Sequence, residues 1–424
     1  MSRTTGCCAG LRPAFASLKS RFRRSNRRIE PFLALTPARR PFFRPIMPVL
    51  RHVGTPTLIL LLALTALRPG PVFSDPADPD GIEEEEPEEQ PSEKPNEKPG
   101  KQESPEKRKE ALSLLKKRIL YASSTDRRSA IRDLKRLKKD EQSDFYDDLV
   151  LIVKTDRDAA VRESALRFLA EGGVSTSKAK EAYIAGLDDT ERNVRLEALK
   201  GIRKIELKEA GEKLAKLVSE SELNENDSVI HAAIRTLGTL KYESPEFTKR
   251  LLDALDNPAT EMESRRSILL YAGSIRATSM EEKLLAIVAD ADADLVMRSY
   301  AANSLGKTAA KDGGKATGES RDRYLKAMQA VLDEIRNIRD SRQRARMNML
   351  KQQAILAMIR MGDDSVKEEL RAAAQDDDAN TRFRAIRYIG ELKLKEYRDL
   401  VEFKSKHDES PKVRKEAERV LKEL

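Results

Sequence analysis

One short phrase recurs along the chain and constrains its fold more than any other feature. Its clearest copy is Asp156–Gly172 (DRDAAVRESALRFLAEG), where an acidic turn precedes Val-Arg and then Ala and Leu at helical spacing; we call Arg162 its anchor. The nine anchor positions are Arg127, Arg162, Arg195, Ile230, Arg265, Arg298, Lys351, Arg382 and Arg414. Successive anchors lie 31 to 35 residues apart, except for one step of 53 between Arg298 and Lys351. A fixed period of this size predicts a solenoid of stacked repeats.

The residues three and seven positions after each anchor are small or apolar. Eight of the nine residues at the third position are Ala, with Ile268 as the exception, and all nine at the seventh are apolar. These positions lie one turn apart on one helix face. A second amphipathic run, such as Lys178–Leu187, lies between anchor segments. Each repeat is therefore predicted to be a helix pair whose apolar face is covered by its neighbours.

Acidic residues and glycines recur at positions where helix ends are expected. Five aspartates lie six residues before their anchors: Asp156, Asp189, Asp292, Asp376 and Asp408. We expect these carboxylates to cap the second helix of each repeat. Five glycines follow the anchors: Gly172, Gly238, Gly273, Gly306 and Gly390. We expect them to end the same helices in a left-handed conformation.

The pattern resembles a known family. The phrase D-x-D-x-x-V-R-x-x-A-L-x-x-L at Asp156–Leu169, and D-x-x-x-x-V-R at Asp408–Arg414, resemble HEAT repeats of the short, phycobilisome-lyase-like group. The resemblance covers residues 106–424 and implies an all-α fold, a right-handed α-solenoid of about nine two-helix repeats. Ile230 and Lys351 depart from the anchor Arg, so those two repeats are degenerate. The long step predicts a loop insertion near residues 307–323.

The first 105 residues differ in composition from the repeats. Residues 1–46 are Arg-rich with one acidic residue, and are either a leader of the transit-peptide type or a misassigned start before Met47. Residues 47–74 carry a ten-residue apolar run, Leu58–Leu67, followed by small residues, which predicts a cleaved signal peptide and an exported protein; an uncleaved membrane anchor is the alternative. Residues 75–105, rich in Pro, Glu and Lys, predict a disordered linker.

Charge and residue counts narrow the classes of partner. Residues 1–74 hold 13 of the 80 Lys and Arg and one of the 71 Asp and Glu, which leaves 67 basic and 70 acidic residues in the remainder. The basic balance of the whole chain therefore gives no reason to expect nucleic-acid binding. Both cysteines, Cys7 and Cys8, precede Met47, and only His231 and His407 follow residue 74. We accordingly expect no metal, no cofactor and no disulfide.

A column of residues five positions after the anchors is the candidate binding site. It comprises Arg132, Arg167, Lys200, Arg235, Leu270, Asn303, Leu356, Arg387 and Arg419, of which six are basic. The position lies about one and a half turns past the anchor, roughly opposite the buried face. By resemblance to HEAT stacks the column would line the concave side and attract an acidic partner. The alternative is that these side chains form ion pairs with acidic residues of adjacent repeats.

No catalytic motif occurs in the chain, and acidic clusters such as Asp376-Asp377-Asp378 fall in expected turns. The sequence therefore favours a non-catalytic scaffold that binds a protein or peptide outside the cytoplasm, close to a membrane surface if the basic first repeat attracts anionic lipids. One alternative is an enzyme-accessory or lyase-like protein, which only the resemblance implies. Another is a structural protein tethered in the envelope.

Overall fold

A computed structural model describes residues 104–424. The predicted leader, signal peptide and almost all of the predicted linker lie outside the described residues. Within residues 104–424 the regular structure is helical, without strands. The α-helices are α1 (Pro105–Tyr121), α2 (Ser124–Asp133), α3 (Lys139–Ser143), α4 (Tyr146–Thr155), α5 (Ala159–Glu171), α6 (Ser177–Gly186), α7 (Arg192–Lys204), α8 (Gly211–Ser219), α9 (Ser228–Leu240), α10 (Pro245–Asp256), α11 (Met262–Ile275), α12 (Glu281–Ala289), α13 (Leu295–Thr308), α14 (Glu319–Asn337), α15 (Ser341–Arg346), α16 (Asn348–Arg360), α17 (Lys367–Ala373), α18 (Ala379–Glu391), α19 (Arg398–His407) and α20 (Pro411–Leu421).

Eighteen of these helices form nine antiparallel pairs within residues 104–424, and the short helices α3 and α15 precede α4 and α16. The second helix of each pair carries the anchor position, and we call the nine second helices the motif helices: α2, α5, α7, α9, α11, α13, α16, α18 and α20. Each motif helix packs on the next one along the chain, and most of these contacts are more extensive than those between successive first helices. The motif helices therefore form the tighter, inner layer of the stack. The predicted all-α solenoid is confirmed.

The core lies where the repeats meet. All nine residues three positions after the anchors, from Ala130 to Ala417, are fully buried. The residues at the seventh position are also buried, except for the partly covered Leu421 at the end of the stack. Burying about 25 cal/mol per Å² of apolar surface at each junction stabilises a helix pair that could not stand alone.

Four of the five glycines have a different role from the one predicted; Gly172 does end α5, but in a right-handed conformation. Gly238, Gly273, Gly306 and Gly390 lie inside motif helices, eight residues after their anchors. A Cβ on Gly306 would lie 2.7 Å from the Cα of Ala357, and one on Gly273 would lie 3.0 Å from the Cα of Ser304. The prediction that they end helices is wrong because the absent side chain allows two motif helices to cross at close range.

Residues with a left-handed backbone conformation lie three positions after these glycines, which is eleven positions after the anchor. This column holds Gly173, Glu206, Lys241, Arg276, Gly362 and Lys393, each with positive φ. The next N–H in each repeat bonds to the carbonyl of the seventh position, as from Tyr242 to Leu237 at 3.1 Å. This is the Schellman motif, in which glycine adopts the left-handed conformation with the least steric strain. Lysine, arginine and glutamate occupy four of these six positions.

The aspartates six residues before the anchors do not cap the motif helices either. Each of four accepts the N–H of the residue two positions later, as Asp156 accepts from Asp158 at 2.9 Å. The capping residue is this later one: the Asp158 carboxylate accepts the Ala160 N–H at 2.9 Å. The helices begin two residues later than expected, and the earlier carboxylate is left available for another contact.

The extra residues between Arg298 and Lys351 do not form one loop at 307–323. An irregular segment does follow α13, but α14 is also long, with 19 residues against nine in α12. The short helix α15 adds six residues before α16. The long helix is amphipathic and buries Tyr324, Met328 and Val331. The insertion therefore enlarges one helix pair because its apolar residues pack into the core.

Candidate functional site

The anchor arginines connect consecutive repeats. Arg162 donates from Nε and Nη2 to the Asp189 carboxylate at 2.7 and 2.8 Å, and from Nη1 to the carbonyl of Asp156 at 2.9 Å. Arg162 therefore holds the turn of its own repeat and the turn of the next. The same kind of ion pair to the following repeat occurs in Arg127–Asp156, Arg298–Glu334 and Arg382–Asp408.

The remaining anchors vary. Arg265 and Arg414 donate to main-chain carbonyls of their own turns.

Burial alone would raise the pKa of Asp189, but hydrogen bonds from Arg162 and the Glu191 N–H, with the charge of Arg195, hold that pKa below its ordinary value. Sequence reasoning missed these links between repeats. The signal was present, because Asp and Arg recur at fixed spacing in consecutive repeats.

The candidate column five residues after the anchors is not a continuous surface. Asn303 and Leu356 are buried, at 1% and 0% exposure, and Leu270 packs against the core. The Asn303 side chain accepts a hydrogen bond from Arg360 at 2.6 Å. The hypothesis that Asn303 and Leu356 contact a partner is wrong, because both side chains are buried and not available at the surface.

Most basic members of the column are engaged in ion pairs. Glu197 is bound by Lys200 and Arg167, each at 3.1 Å, while Arg235 contacts Glu263 at 3.4 Å. Glu416 is bound by Arg387 at 3.3 Å and Arg419 at 2.7 Å. Arg132 remains exposed beside a groove of about 200 Å³. Ion pairing between adjacent repeats therefore accounts for Arg167, Arg235 and Arg387, whereas Lys200 and Arg419 pair within their own helices.

A larger basic cavity lies at the carboxyl ends of the motif helices α9, α11, α13, α16 and α18. It has a volume of about 730 Å³, and we call it the basic cavity. Its cationic side chains are Lys241, Arg276, Lys307, Lys311, Arg360, Lys367 and Lys393. Three carboxylates line it as well: Asp312, Asp364 and Glu391. The lining therefore carries a formal charge of +4, although helix carboxyl ends offset part of it with their partial negative charge.

Some cations of the basic cavity are engaged and others face the opening. Lys367 pairs with Glu396 at 2.8 Å, and Arg360 with Glu391. The Arg276 Nη1 donates to the carbonyl of Asp312 at 3.0 Å. Lys311 and Lys393 are exposed, and among residues 104–424 neither has a carboxylate within ion-pair distance. These two ammonium groups are the ones best placed to receive an anionic group.

The positive field of the basic cavity acts on its own members. Burial lowers the pKa of Lys241, and the neighbouring charges of Arg276 and Lys307 lower it further. Lys241, Arg276 and Lys393 also occupy left-handed positions, where Gly173 and Gly362 show that glycine is compatible with the fold. A side chain there costs roughly 1 kcal/mol per residue. Cations are thus present where a glycine would be easier to accommodate.

The described residues contain no cluster of metal-binding side chains. Between residues 104 and 424 no three His, Cys, Asp or Glu side chains lie close enough to hold a metal ion. His231 is buried, contacts the Ser264 hydroxyl at 3.1 Å, and has a pKa lowered by burial. These contacts make His231 part of the packing between α9 and α11. No helix of the described part of the chain has the length and apolar character needed to cross a bilayer.

Comparison with protein families gives a direct match for the last repeats. Residues 342–422 match the family described as HEAT repeats. The matched segment contains α16 to α20, and the same helix pairing, buried alanines and anchor contacts continue back to α1. Residues 342–422 are HEAT repeats, and the chain is similar to HEAT-repeat proteins.

Several solved structures are similar to this chain at low sequence identity. An engineered protein is 18% identical over 73% of this chain and 87% of its own, with a TM-score of 0.34. A mutant of Kap121p is 14% identical over 74% of this chain and 38% of its own, with a TM-score of 0.41. The Escherichia coli protein YibA is 16% identical over 70% and 96%, with a TM-score of 0.34. No curated protein sequence matches significantly.

Proposed function

We propose that this protein is a non-catalytic scaffold that binds an acidic polypeptide segment in the basic cavity. The observation that carries the proposal is the pair Lys311 and Lys393, two exposed ammonium groups in a cavity with excess positive charge. Carboxylates of a bound segment would satisfy them without displacing an existing pair. Because many weak contacts along stacked helices add together, such a surface suits an extended ligand.

The proposed site replaces the column as the centre of binding. Arg167 and Lys200 already bind Glu197, whereas Lys311 and Lys393 have no carboxylate within ion-pair distance among residues 104–424. An exposed ion pair contributes little energy, but a partner would first have to compete with it. The cavity is also concave, which brings several cations to one ligand.

A charge-reversal experiment separates the two surfaces. The probe is a fluorescently labelled deca-glutamate peptide, and its binding to the full chain is followed by anisotropy. We expect Lys311→Glu/Lys393→Glu to weaken binding at least tenfold and the wild-type affinity to fall with added salt. Arg167→Glu/Lys200→Glu in the column, and Lys249→Glu/Lys326→Glu on first helices, are matched controls that should retain binding.

The opposite pattern would reject this site. If the column variant loses the peptide while the cavity variant retains it, the column is the binding surface. An equal loss of binding by all variants, relative to the wild type, would show that the peptide responds to overall charge alone. Circular dichroism of each variant confirms that the helices remain folded.

We also propose that the scaffold acts outside the cytoplasm, supported by the signal-peptide pattern at residues 47–74. Sequencing the amino terminus of the exported protein should find a start at or near Asp75. A start at Met1 or Met47 in the exported protein would contradict cleavage and favour a membrane anchor. The lyase-like and envelope-structural alternatives stay predictions.

A further inference from the structure

The linker and the repeats of this chain carry opposite charge. Residues 75–105 contain twelve acidic and three basic residues, whereas residues 106–424 contain 58 acidic and 64 basic residues. The slight negative balance after residue 74 therefore comes from the linker alone. Its acidity is concentrated in Glu83–Glu89 (EEEEPEE), with six carboxylates in seven residues. An acidic segment of the kind that the basic cavity would bind is present in the same chain.

The topology places the linker's end on the same edge of the stack as the basic cavity. In each helix pair the motif helix runs antiparallel to the first helix, so its carboxyl end lies beside the amino ends of the first helices. Ser104 caps the amino end of α1. The cavity residues lie at the corresponding ends of later repeats. The preceding chain therefore joins the stack on the edge that carries the cavity.

The length of the linker is sufficient. Fifteen residues separate Glu89 from Ser104 and 21 separate Glu83 from it. At about 3.3 Å per residue, chains of these lengths can span at most roughly 50 and 70 Å. Neighbouring helices lie about 8–10 Å apart, so the three steps from α2 to α9, beside Lys241, span about 30 Å, the five to α13, before Lys311, about 50 Å, and the seven to α18, beside Lys393, about 60–70 Å. Glu89 can therefore reach the near side of the cavity, and Glu83 can reach Lys311 and, near full extension, Lys393.

We propose that Glu83–Glu89 binds in the basic cavity of the same chain and competes with the acidic partner. This inference rests on the proposed function, because it assigns an internal occupant to the same site. The effective concentration of a tethered segment is in the millimolar range for a linker that spans the distance. A partner must therefore bind well enough to displace it, and release of the segment exposes the cations.

The test compares the wild-type chain with a variant in which the six glutamates are replaced: Glu83→Gln, Glu84→Gln, Glu85→Gln, Glu86→Gln, Glu88→Gln and Glu89→Gln. The probe is a labelled synthetic peptide with the sequence of residues 81–91, GIEEEEPEEQP. We expect this peptide to bind the six-glutamine variant at least tenfold more tightly than the wild type. Adding Lys311→Glu/Lys393→Glu to the six-glutamine variant should remove the gain, whereas adding Lys249→Glu/Lys326→Glu should not.

Two failures can be told apart. Equal, cavity-dependent binding to the wild type and the six-glutamine variant would overturn the internal occupant and leave the proposed function standing. If the six-glutamine variant binds the peptide equally well with and without Lys311→Glu/Lys393→Glu, the proposed function itself would be overturned.

Crosslinking identifies which copy supplies the segment. A carbodiimide joins carboxylates to amines in direct contact, so we expect Glu83–Glu89 to be linked to Lys311 or Lys393 within species of monomer mass in the wild type. Links found only in species of dimer mass would contradict binding within one chain and assign the segment to a second copy.

Discussion

Arg382 and Asp408 form a buried, bidentate ion pair between the last two repeats. Nε and Nη2 of Arg382 each donate to one carboxylate oxygen of Asp408, both at 2.9 Å, and Nη1 donates to the carbonyl of Asp376. The two residues are 8% and 5% exposed. The Asp408 carbonyl in turn accepts from Arg414 at 2.6 Å. One aspartate therefore orders both its own turn and the preceding repeat.

Removing the charge of Asp408 should destabilise the end of the stack. Asp408→Asn leaves the Arg382 guanidinium buried without its anion, and such losses typically cost about 3–5 kcal/mol. We expect a clear decrease in the urea midpoint measured by circular dichroism. The matched control is Asp147→Asn, which removes the exposed partner of Lys178. That change should alter stability by less than about 1 kcal/mol. Equal effects of the two substitutions would contradict a structural role for the buried pair.

The same pair predicts how stability depends on pH. Burial alone would raise the pKa of Asp408, but hydrogen bonds from Arg382, the Ser410 N–H and Lys404 lower it to about 2. A carboxyl whose pKa is lower in the folded state than in the unfolded state stabilises the fold at pH values above its unfolded-state pKa. This stabilisation is lost as the pH falls through the folded-state pKa. The stability difference between wild type and Asp408→Asn should therefore shrink from pH 4 to pH 2. A difference that stays constant over this range would show that Asp408 titrates normally.

The glycine crossings predict a graded cost of adding one methyl group. Gly306→Ala places its Cβ 2.7 Å from the Cα of Ala357, which is main chain and cannot move alone, so we expect a loss of roughly 2 kcal/mol. Gly390→Ala meets the γ-methyl groups of Val420, the nearer at 2.8 Å. Its cost should be smaller, and less than additive when combined with Val420→Ala. Thermal denaturation of the four variants measures both effects. A Gly306→Ala protein as stable as wild type would mean that the helices separate readily.

The left-handed positions predict opposite effects on stability and binding. Lys393→Gly and Glu206→Gly both relieve a side chain at positive φ, 51° and 49°, and each should gain up to about 1 kcal/mol. Lys393 lines the basic cavity, whereas Glu206 does not. We therefore expect weaker binding of deca-glutamate by Lys393→Gly and unchanged binding by Glu206→Gly. Unchanged binding by both would remove Lys393 from the site.

Several features follow from the order of residues alone. The nine anchors, the alanines three positions later and the apolar residues at the seventh position predict paired, stacked helices. The structure buries these alanines because helix periodicity places them on one face and each repeat needs its neighbour to cover that face. The first helices were also located, as Lys178–Leu187 corresponds to α6. Local pattern is sufficient here because each contact lies within a repeat or between adjacent ones.

Other features depend on how the repeats meet in space. The pattern indicated a capping role for Asp156, but its carboxylate binds Arg127 of the preceding repeat. The pattern predicts a helix end at Gly306, but two helices cross there. It predicts surface positions for Asn303 and Leu356, but both side chains are buried. The basic cavity combines side chains from five motif helices, including Lys241 and Lys393, which are 152 residues apart in the chain. Periodicity determines which face of a helix is apolar, whereas the distance and angle between helices decide which charges pair and which remain open to a partner.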